Sequence, residues 1–262
     1  MESIDLSIIL PSAGEGKRFG PGGPKELFEI HKDIKMIDLS LQHISVFLHW
    51  VEKQKIRVDL KVVVVINRFK EKVIEHVKKI MPEVKVEKVY FNDLYREWPG
   101  SIYSAQGHFS DFNIVLLPDS FITMSKDNRF FDVSGDPLIK KMIDILKNSP
   151  LAFGVKRCKD PEILRNLGAV MAEDNKITEF QDKPENRFLK FNGYWGVFGF
   201  CEQIGEKVYN FLIRSVEHKN PSLKDYFSDP PGCFFLNSYM DLGTKDSVER
   251  LKNMFERANL LL

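Results

Sequence analysis

Ser7-Ile8-Ile9-Leu10-Pro11-Ser12-Ala13-Gly14-Glu15-Gly16-Lys17-Arg18-Phe19-Gly20, followed by Pro24-Lys25-Glu26-Leu27, is the stretch on which the reading of this chain turns. Ser7 to Leu10 reads as a buried strand that stops in a loop rich in Gly and Pro, from Pro11 to Pro24. A loop after the first strand of an open α/β sheet lies where such sheets put their ligands. Glycines let backbone N–H groups approach an anion closely, and Lys17, Arg18 and Lys25 add positive charge. The loop departs from both common phosphate fingerprints. Phe19 stands where the third glycine of GxGxxG belongs; against GxxxxGK[ST], Pro11 replaces the first glycine and Arg18 the hydroxyl residue. Alone, Gly14-x-Gly16 is better read as a flexible turn with solvated cations. The strand before it and the Pro24-Lys25 pair after it reverse that reading.

Outward from this loop, apolar runs alternate with helical stretches. Met36 to Lys53 carries Ile37, Leu41, Ile44, Phe47, Leu48 and Val51 at helical spacing. Lys61 to Ile66 is a second buried strand, and a helix from about 69 to 80 stops before Pro82. Val84 to Phe91 alternates like a strand, Ser101 to His108 suits a helix, and Phe112 to Leu117 is another buried strand. Strands separated by helices imply right-handed βαβ units, hence an α/β fold with a mixed, mostly parallel sheet. The second half is less regular. Strands are expected at 151–155, 168–171, 177–180 and in the aromatic run 191–200, with helices at 202–216 and 245–258, the last capped by Thr244. No internal repeat or low-complexity linker appears, so residues 1–262 are expected to form one catalytic domain.

Composition narrows the function classes. The chain has 262 residues, with 38 Lys+Arg against 37 Asp+Glu, a net charge of +1. That balance argues against a nucleic-acid or membrane-surface partner, which a basic excess would announce, but leaves room for a small polyanion held by a few cations. Cys158, Cys201 and Cys233 are far apart and odd in number, so neither a disulfide framework nor a zinc site is expected. The longest aliphatic run, Val62 to Ile66, is far short of the roughly 20 residues that span a bilayer. The first residues carry no cationic segment of the secretory kind, which points to a cytoplasmic location.

Gly14-Glu15-Gly16-Lys17-Arg18 with Pro24-Lys25 resembles the GxGxR…PK signature of the sugar-phosphate nucleotidyltransferases, the enzymes that make nucleoside-diphosphate sugars and related activated alcohols. The resemblance implies a Rossmann-like three-layer α/β/α fold of the nucleotide-diphospho-sugar transferase type. It also implies that Ala13, Gly14, Gly16 and Lys17 wrap the triphosphate of an NTP. Arg18 and Lys25 would be the catalytic cations, stabilising charge that builds as pyrophosphate leaves.

Two carboxylates add a metal. Leu116-Leu117-Pro118-Asp119 ends a buried strand, placing Asp119 on the same sheet edge as the glycine loop; Asp241 lies in Met240-Asp241-Leu242-Gly243-Thr244 before a helix. Alone, Asp119 reads equally as a strand-end cap and Asp241 as a turn former. Together they would hold one hard divalent cation with phosphate oxygens, the habit of Mg²⁺, and the family's metal aspartates occur in the same contexts.

The remaining matches are substrate elements. Trp98-Pro99-Gly100-Ser101 resembles the base-recognition segment, with Gly100 and Ser101 facing the base; Arg96 with Ser101-Ile102 is closer to the cytidylyl than the thymidylyl style. The bland reading is a helix start with Ser101 as cap. Gly168 resembles the sugar-contacting glycine. Asp182-Lys183-Pro184 resembles the Glu-Lys-Pro element, with Asp182 one methylene shorter than the usual acid and Lys183 on the acceptor phosphate. Asn192 belongs to an aromatic strand resembling the wall of the acceptor pocket. These matches span residues 8 to 244 and leave no room for the β-helix domain that some relatives append.

The expected activity is Mg²⁺-dependent transfer of a nucleotidyl group from an NTP, a pyrimidine NTP by the Arg96 and Ser101 pattern, to a sugar 1-phosphate. The alternative within the fold is a cytidylyltransferase acting on an alcohol or polyol phosphate such as phosphocholine. A GT-A glycosyltransferase ranks lower because no DxD surrounds Asp119, and a non-catalytic nucleotide-sugar binder because the cationic loop and both acids are present. Partners are the NTP and a phosphorylated sugar or polyol, with homo-oligomerisation left open.

Overall fold

In β1 (Ile4–Pro11), Leu6, Ile8 and Leu10 enter one apolar cluster while Ile9 enters another. A strand whose successive side chains fall into two cores must be covered on both faces. The same split recurs in β4, introduced below, where Leu60, Val62, Val64 and Ile66 face the first cluster and Val63 and Val65 the second. The structure is a computed structural model that describes residues 3–16, 19–20, 23–92, 94, 98–125, 136–185, 190–217 and 220–257.

After β1 come the short strands β2 (Glu29–His31) and β3 (Ile34–Lys35), then α1 (Asp38–Gln54), β4 (Val58–Ile66), α2 (Glu71–Ile80) and β5 (Lys85–Tyr90). The middle of the chain gives α3 (Pro99–Ser104), β6 (Phe112–Leu116), β7 (Ser120–Thr123), α4 (Leu138–Leu146) and β8 (Leu151–Arg157). The last part gives α5 (Pro161–Leu164), β9 (Gly168–Glu173), β10 (Lys176–Asp182), β11 (Gly193–Cys201), α6 (Gly205–Val216), β12 (Gly232–Phe235), β13 (Ser238–Asp241) and α7 (Lys245–Arg257).

Nine strands form one sheet in the order β5-β4-β1-β6-β11-β8-β12-β10-β9. The N-terminal part, β5-β4-β1-β6, is wholly parallel, whereas β11 runs antiparallel to β6, β8 and β9; β12 is again parallel to β8. The sheet is therefore mixed, with the parallel strands concentrated where the βαβ pattern was legible. Helices α1, α2 and α4 cover one face through residues such as Phe47, Val77 and Met142, and α3 and α6 cover the other through Ile102, Phe211 and Leu212. Phe47 and Phe211 are almost wholly buried, a position whose truncation to Ala costs about 3–5 kcal/mol. A smaller cluster packs Val248, Leu251 and Phe255 of α7 against Ile30 and Phe121.

Helix α3 differs from its expected span. It starts at Pro99 and ends at Ser104, and a separate 3₁₀ turn, Gln106–His108, follows. Pro99, lacking an N–H, suits the first helical position; Ser101 lies inside the helix and is not its cap. The β2–β3 hairpin has too few residues to show a period, and Lys32 and Asp33 turn it at φ +38° and +70° without a glycine to announce them.

Candidate active site

Because β1 and β6 are parallel, the loop after Pro11 and the turn after Leu116 emerge at the same edge of the sheet. Gly16 has φ +68°, where a side chain is strained, and an added Cβ would meet the Lys25 stem at 3.6 Å. Gly16 is thus needed for the turn, while its contact with the Lys25 stem would be an ordinary one for any side chain. The Gly16 carbonyl accepts from the Phe19 amide at 2.8 Å. Lys17 and Arg18 lie outside the described residues, as does Arg96.

The Lys25 ammonium reaches Asp119 and pairs with its carboxylate. Burial acts to lower the Lys25 pKa, but the Asp119 carboxylate more than offsets this, with smaller help from Glu26 and Asp241, so the net direction is upward. Asp241 reaches the same corner through β13, which pairs antiparallel with β7 so that Asp241 lies opposite Ser120. The Leu242 amide donates to the Asp119 carbonyl at 2.8 Å, and an Asp241 oxygen accepts from the Gly243 amide at 2.8 Å. Tyr239, two residues earlier, has its pKa raised well above the ordinary value, first by burial and then by Asp241 and Asp119. The glycine loop, Lys25 and two aspartates separated by 122 sequence positions therefore share one corner of the sheet edge.

Among the described residues, no group of three His, Cys, Asp or Glu side chains is placed to hold a metal. Asp119 and Asp241 supply hard oxygen donors, and Asp119 already draws a cation, the Lys25 ammonium, to its carboxylate. Two carboxylates with the rest of the shell left to phosphate and water is a donor set that fits Mg²⁺.

Three residues at this corner were given no role from the sequence. Lys70 Nζ donates to Glu26 Oε1 and Oε2 at 2.7 and 2.9 Å and to the Gly14 carbonyl at 2.5 Å. Asn67 Nδ2 donates to the Ala13 carbonyl at 3.0 Å. The Lys70 pKa is lowered, chiefly by burial, with Glu26 opposing. The available signal was the position of Asn67-Arg68-Phe69-Lys70 at the end of β4, on the same sheet edge as the loop. A cleft of about 1140 Å³ opens there, walled by Glu15, Pro24, Asn67, Phe69, Lys70 and Tyr90.

The acceptor elements sit around β9 and β11. Gly168 pairs with Asp182 across the β9–β10 ladder, and Asp182 is buried. An added Cβ on Gly168 would fall 1.9 Å from Trp195 Nε1, so the indole occupies the space a side chain would take. Trp195 packs against Trp98 in a tilted arrangement, 5.1 Å between centroids and 47° between planes, which ties Gly168 to the start of α3 and to Gly100 and Ser101. Gly100 is buried, and its carbonyl accepts from Ser104 Oγ, which itself accepts from the Asn92 amide. Lys183 is exposed at φ +44°, its amide donating to the Leu167 carbonyl at 3.0 Å. The Asn192 carboxamide is engaged at both ends by the backbone of Ala172, accepting at 2.9 Å and donating at 2.9 Å. Its side chain extends the β9–β11 ladder.

No family model matches the chain, and no curated protein matches it in sequence. Solved structures do. An apo UDP-glucose pyrophosphorylase superposes with a TM-score of 0.74 at 14% identity, covering 98% of this chain and 100% of that one. A putative glucose-1-phosphate thymidylyltransferase from Bacillus anthracis gives 0.68 at 14%, covering 95% and 94%. The inositol-1-phosphate CTP transferase from T. maritima gives 0.64 at 14%, covering 99% and 98%. Along its whole length, this chain has the mixed α/β fold of the sugar-phosphate nucleotidyltransferases.

Proposed function

We propose that this chain transfers a nucleotidyl group from an NTP to a phosphorylated sugar or polyol, releasing pyrophosphate, and that residues 1–262 act as one catalytic unit. The observation that carries this reading is the convergence of the glycine loop, the Lys25–Asp119 pair and Asp241 at one sheet edge. A phosphate oxygen of the acceptor attacks the α-phosphorus in line, the bond from that phosphorus to the β-phosphate oxygen breaks, and pyrophosphate takes the electron pair. The attacking phosphate is already anionic near neutral pH, so no side chain has to remove a proton. Lys25 and Arg18 offset the charge growing on the leaving oxygens. Lys183 is assigned to the acceptor phosphate, with Gly168 and Asp182 beside its sugar or polyol. Gly100 and Ser101 are assigned to the base. Asn192 holds β9 against β11, so its role is to shape the acceptor wall. Asp119 and Asp241 would hold Mg²⁺, which when bound neutralises phosphate oxygens as a Lewis acid.

A polyol phosphate remains the second reading, favoured by the full-length likeness to an inositol-1-phosphate CTP transferase. No helix among the described residues is long and apolar enough to cross a membrane, and a cytoplasmic setting is part of the proposal. The test is pyrophosphate release with Mg²⁺ from CTP, UTP, dTTP, ATP and GTP, each against hexose 1-phosphates, inositol and ribitol phosphates, and phosphocholine. Turnover with one NTP and one acceptor class is expected; no pyrophosphate from any pair would sink the reading.

A further inference from the structure

Lys70 and Glu26 form a buried ion pair that the proposed chemistry does not use. Their side chains are 7% and 1% exposed. A buried pair of this kind is weak support for stability, because two well-packed apolar side chains would serve a core as well. The third ammonium proton makes the difference. Lys70 Nζ meets three acceptors, both Glu26 oxygens and the Gly14 carbonyl, so its whole donor capacity is spent. One turn earlier, Asn67 takes the preceding carbonyl, that of Ala13. The turn between β4 and α2 therefore grips two consecutive carbonyls of the glycine loop, 54 and 56 residues away in the chain.

The grip has a directional consequence. In a planar trans peptide, the C=O of one residue and the N–H of the next point opposite ways. Drawing the Ala13 and Gly14 carbonyls toward Asn67 and Lys70 turns the Gly14 and Glu15 amides to the other side of the loop. Successive N–H groups with a common direction form an anion-binding concavity. The other end of the clamp is Glu26, adjacent to Lys25, so the same contact fixes the segment that carries Lys25 to Asp119.

We infer that the Asn67–Lys70 turn, with Glu26, is a positioning device that presents the loop amides and Lys25 to the triphosphate; this rests on the nucleotidyl-transfer reading. Lys70 acts through the loop and does not touch the phosphates. The decisive variant is the double substitution Lys70→Met with Glu26→Met, which removes both charges together and keeps the buried volume. It should melt close to wild type yet raise the KM for the NTP about tenfold, the order expected when the Gly14 carbonyl loses its charged donor. The KM for the acceptor phosphate should stay put, which a general loss of structure would not allow. Hydrogen exchange at the Phe19 amide, which is buried and closes the loop by donating to the Gly16 carbonyl, should quicken in the same protein, a readout independent of turnover. Asn67→Ser keeps a hydroxyl to cap the turn but cannot reach Ala13; it should give a smaller rise in NTP KM, and it keeps the test alive if the double variant fails to fold. Wild-type NTP KM and wild-type exchange in either folded variant would overturn the clamp. If the wild-type enzyme itself uses no NTP, the nucleotidyl-transfer reading falls first, and the exchange arm still decides whether the turn holds the loop.

Discussion

Lys25 and Asp119 are each half-buried and form an ion pair with one another. Replacing Lys25 with Ala is expected to lower kcat by about 10²–10³, the usual cost of removing one preorganised donor at developing charge. Asp119→Ala should abolish turnover by the same assay. Circular dichroism should show both proteins folded, since Lys25 and Asp119 sit at the sheet edge and neither belongs to a core cluster; wild-type turnover in either would remove the residue from its assigned role. Gly168 is a second residue-scale case. Any side chain there collides with the Trp195 indole at 1.9 Å, so Gly168→Ala must displace Trp195 from Trp98, at about 1–3 kcal/mol of overpacking strain. A lowered melting temperature with altered tryptophan emission is the expected outcome; an unchanged spectrum would mean the two indoles do not depend on that glycine. The need for Gly at position 168 could be suspected from the family pattern, but its reason could not, because Trp195 lies 27 positions further along.

Elements were legible to the extent that their own residues reported them. The α7 cap is an instance: Thr244, expected from the sequence as the cap, accepts at Oγ1 from the Ser247 amide at 3.2 Å. Thr244→Ala should cost about 1 kcal/mol, measured as a fall in the urea midpoint, with little change in acceptor KM because α7 packs on Ile30 and Phe121 away from β9. Strands β1, β4 and β6 showed in sequence as unbroken apolar runs, helix α1 by its apolar spacing and helix α2 by the proline just past its end, because each buries large apolar residues. β7 and β13 did not. Each has four residues, and their meaning lies in a long-range pairing that places Asp241 opposite Ser120, 121 positions away. Likewise Asn192 looked like a pocket residue in sequence; only the β9 backbone beside it shows that its carboxamide is already engaged.

For the molecule as a whole, His43 makes stability depend on pH. It is buried on α1, and burial pulls its pKa down to about 4 against a hydrogen bond with the Ile122 backbone that acts the other way. In the unfolded chain the same imidazole titrates near 6.5. Above that pH neither state is protonated and the fold carries no penalty from this group. As pH falls from 6.5 toward 4, the unfolded chain takes up a proton that the fold refuses, and stability drops by about 1.4 kcal/mol per pH unit, about 3 kcal/mol in all. Urea denaturation at pH 7, 5.5 and 4.5 should show this slope in wild type and a shallower one in His43→Gln; equal slopes would assign the acid sensitivity elsewhere.

By itself the sequence determined the alternation of buried strands and helices, the glycine required at position 16, and the cations and aspartates available for phosphate chemistry. These follow from local properties: apolar period, backbone freedom at a turn, and side-chain charge. Tertiary structure alone decided which of those groups meet. It paired Lys25 with Asp119, brought Asp241 in through β13, spent Lys70 on Glu26 and Gly14, and seated Trp195 over Gly168. The physical reason is that a lysine in a polar turn has the same local signature whether it is solvated or buried, and only the strand order that sets β4 beside β1 tells the two apart.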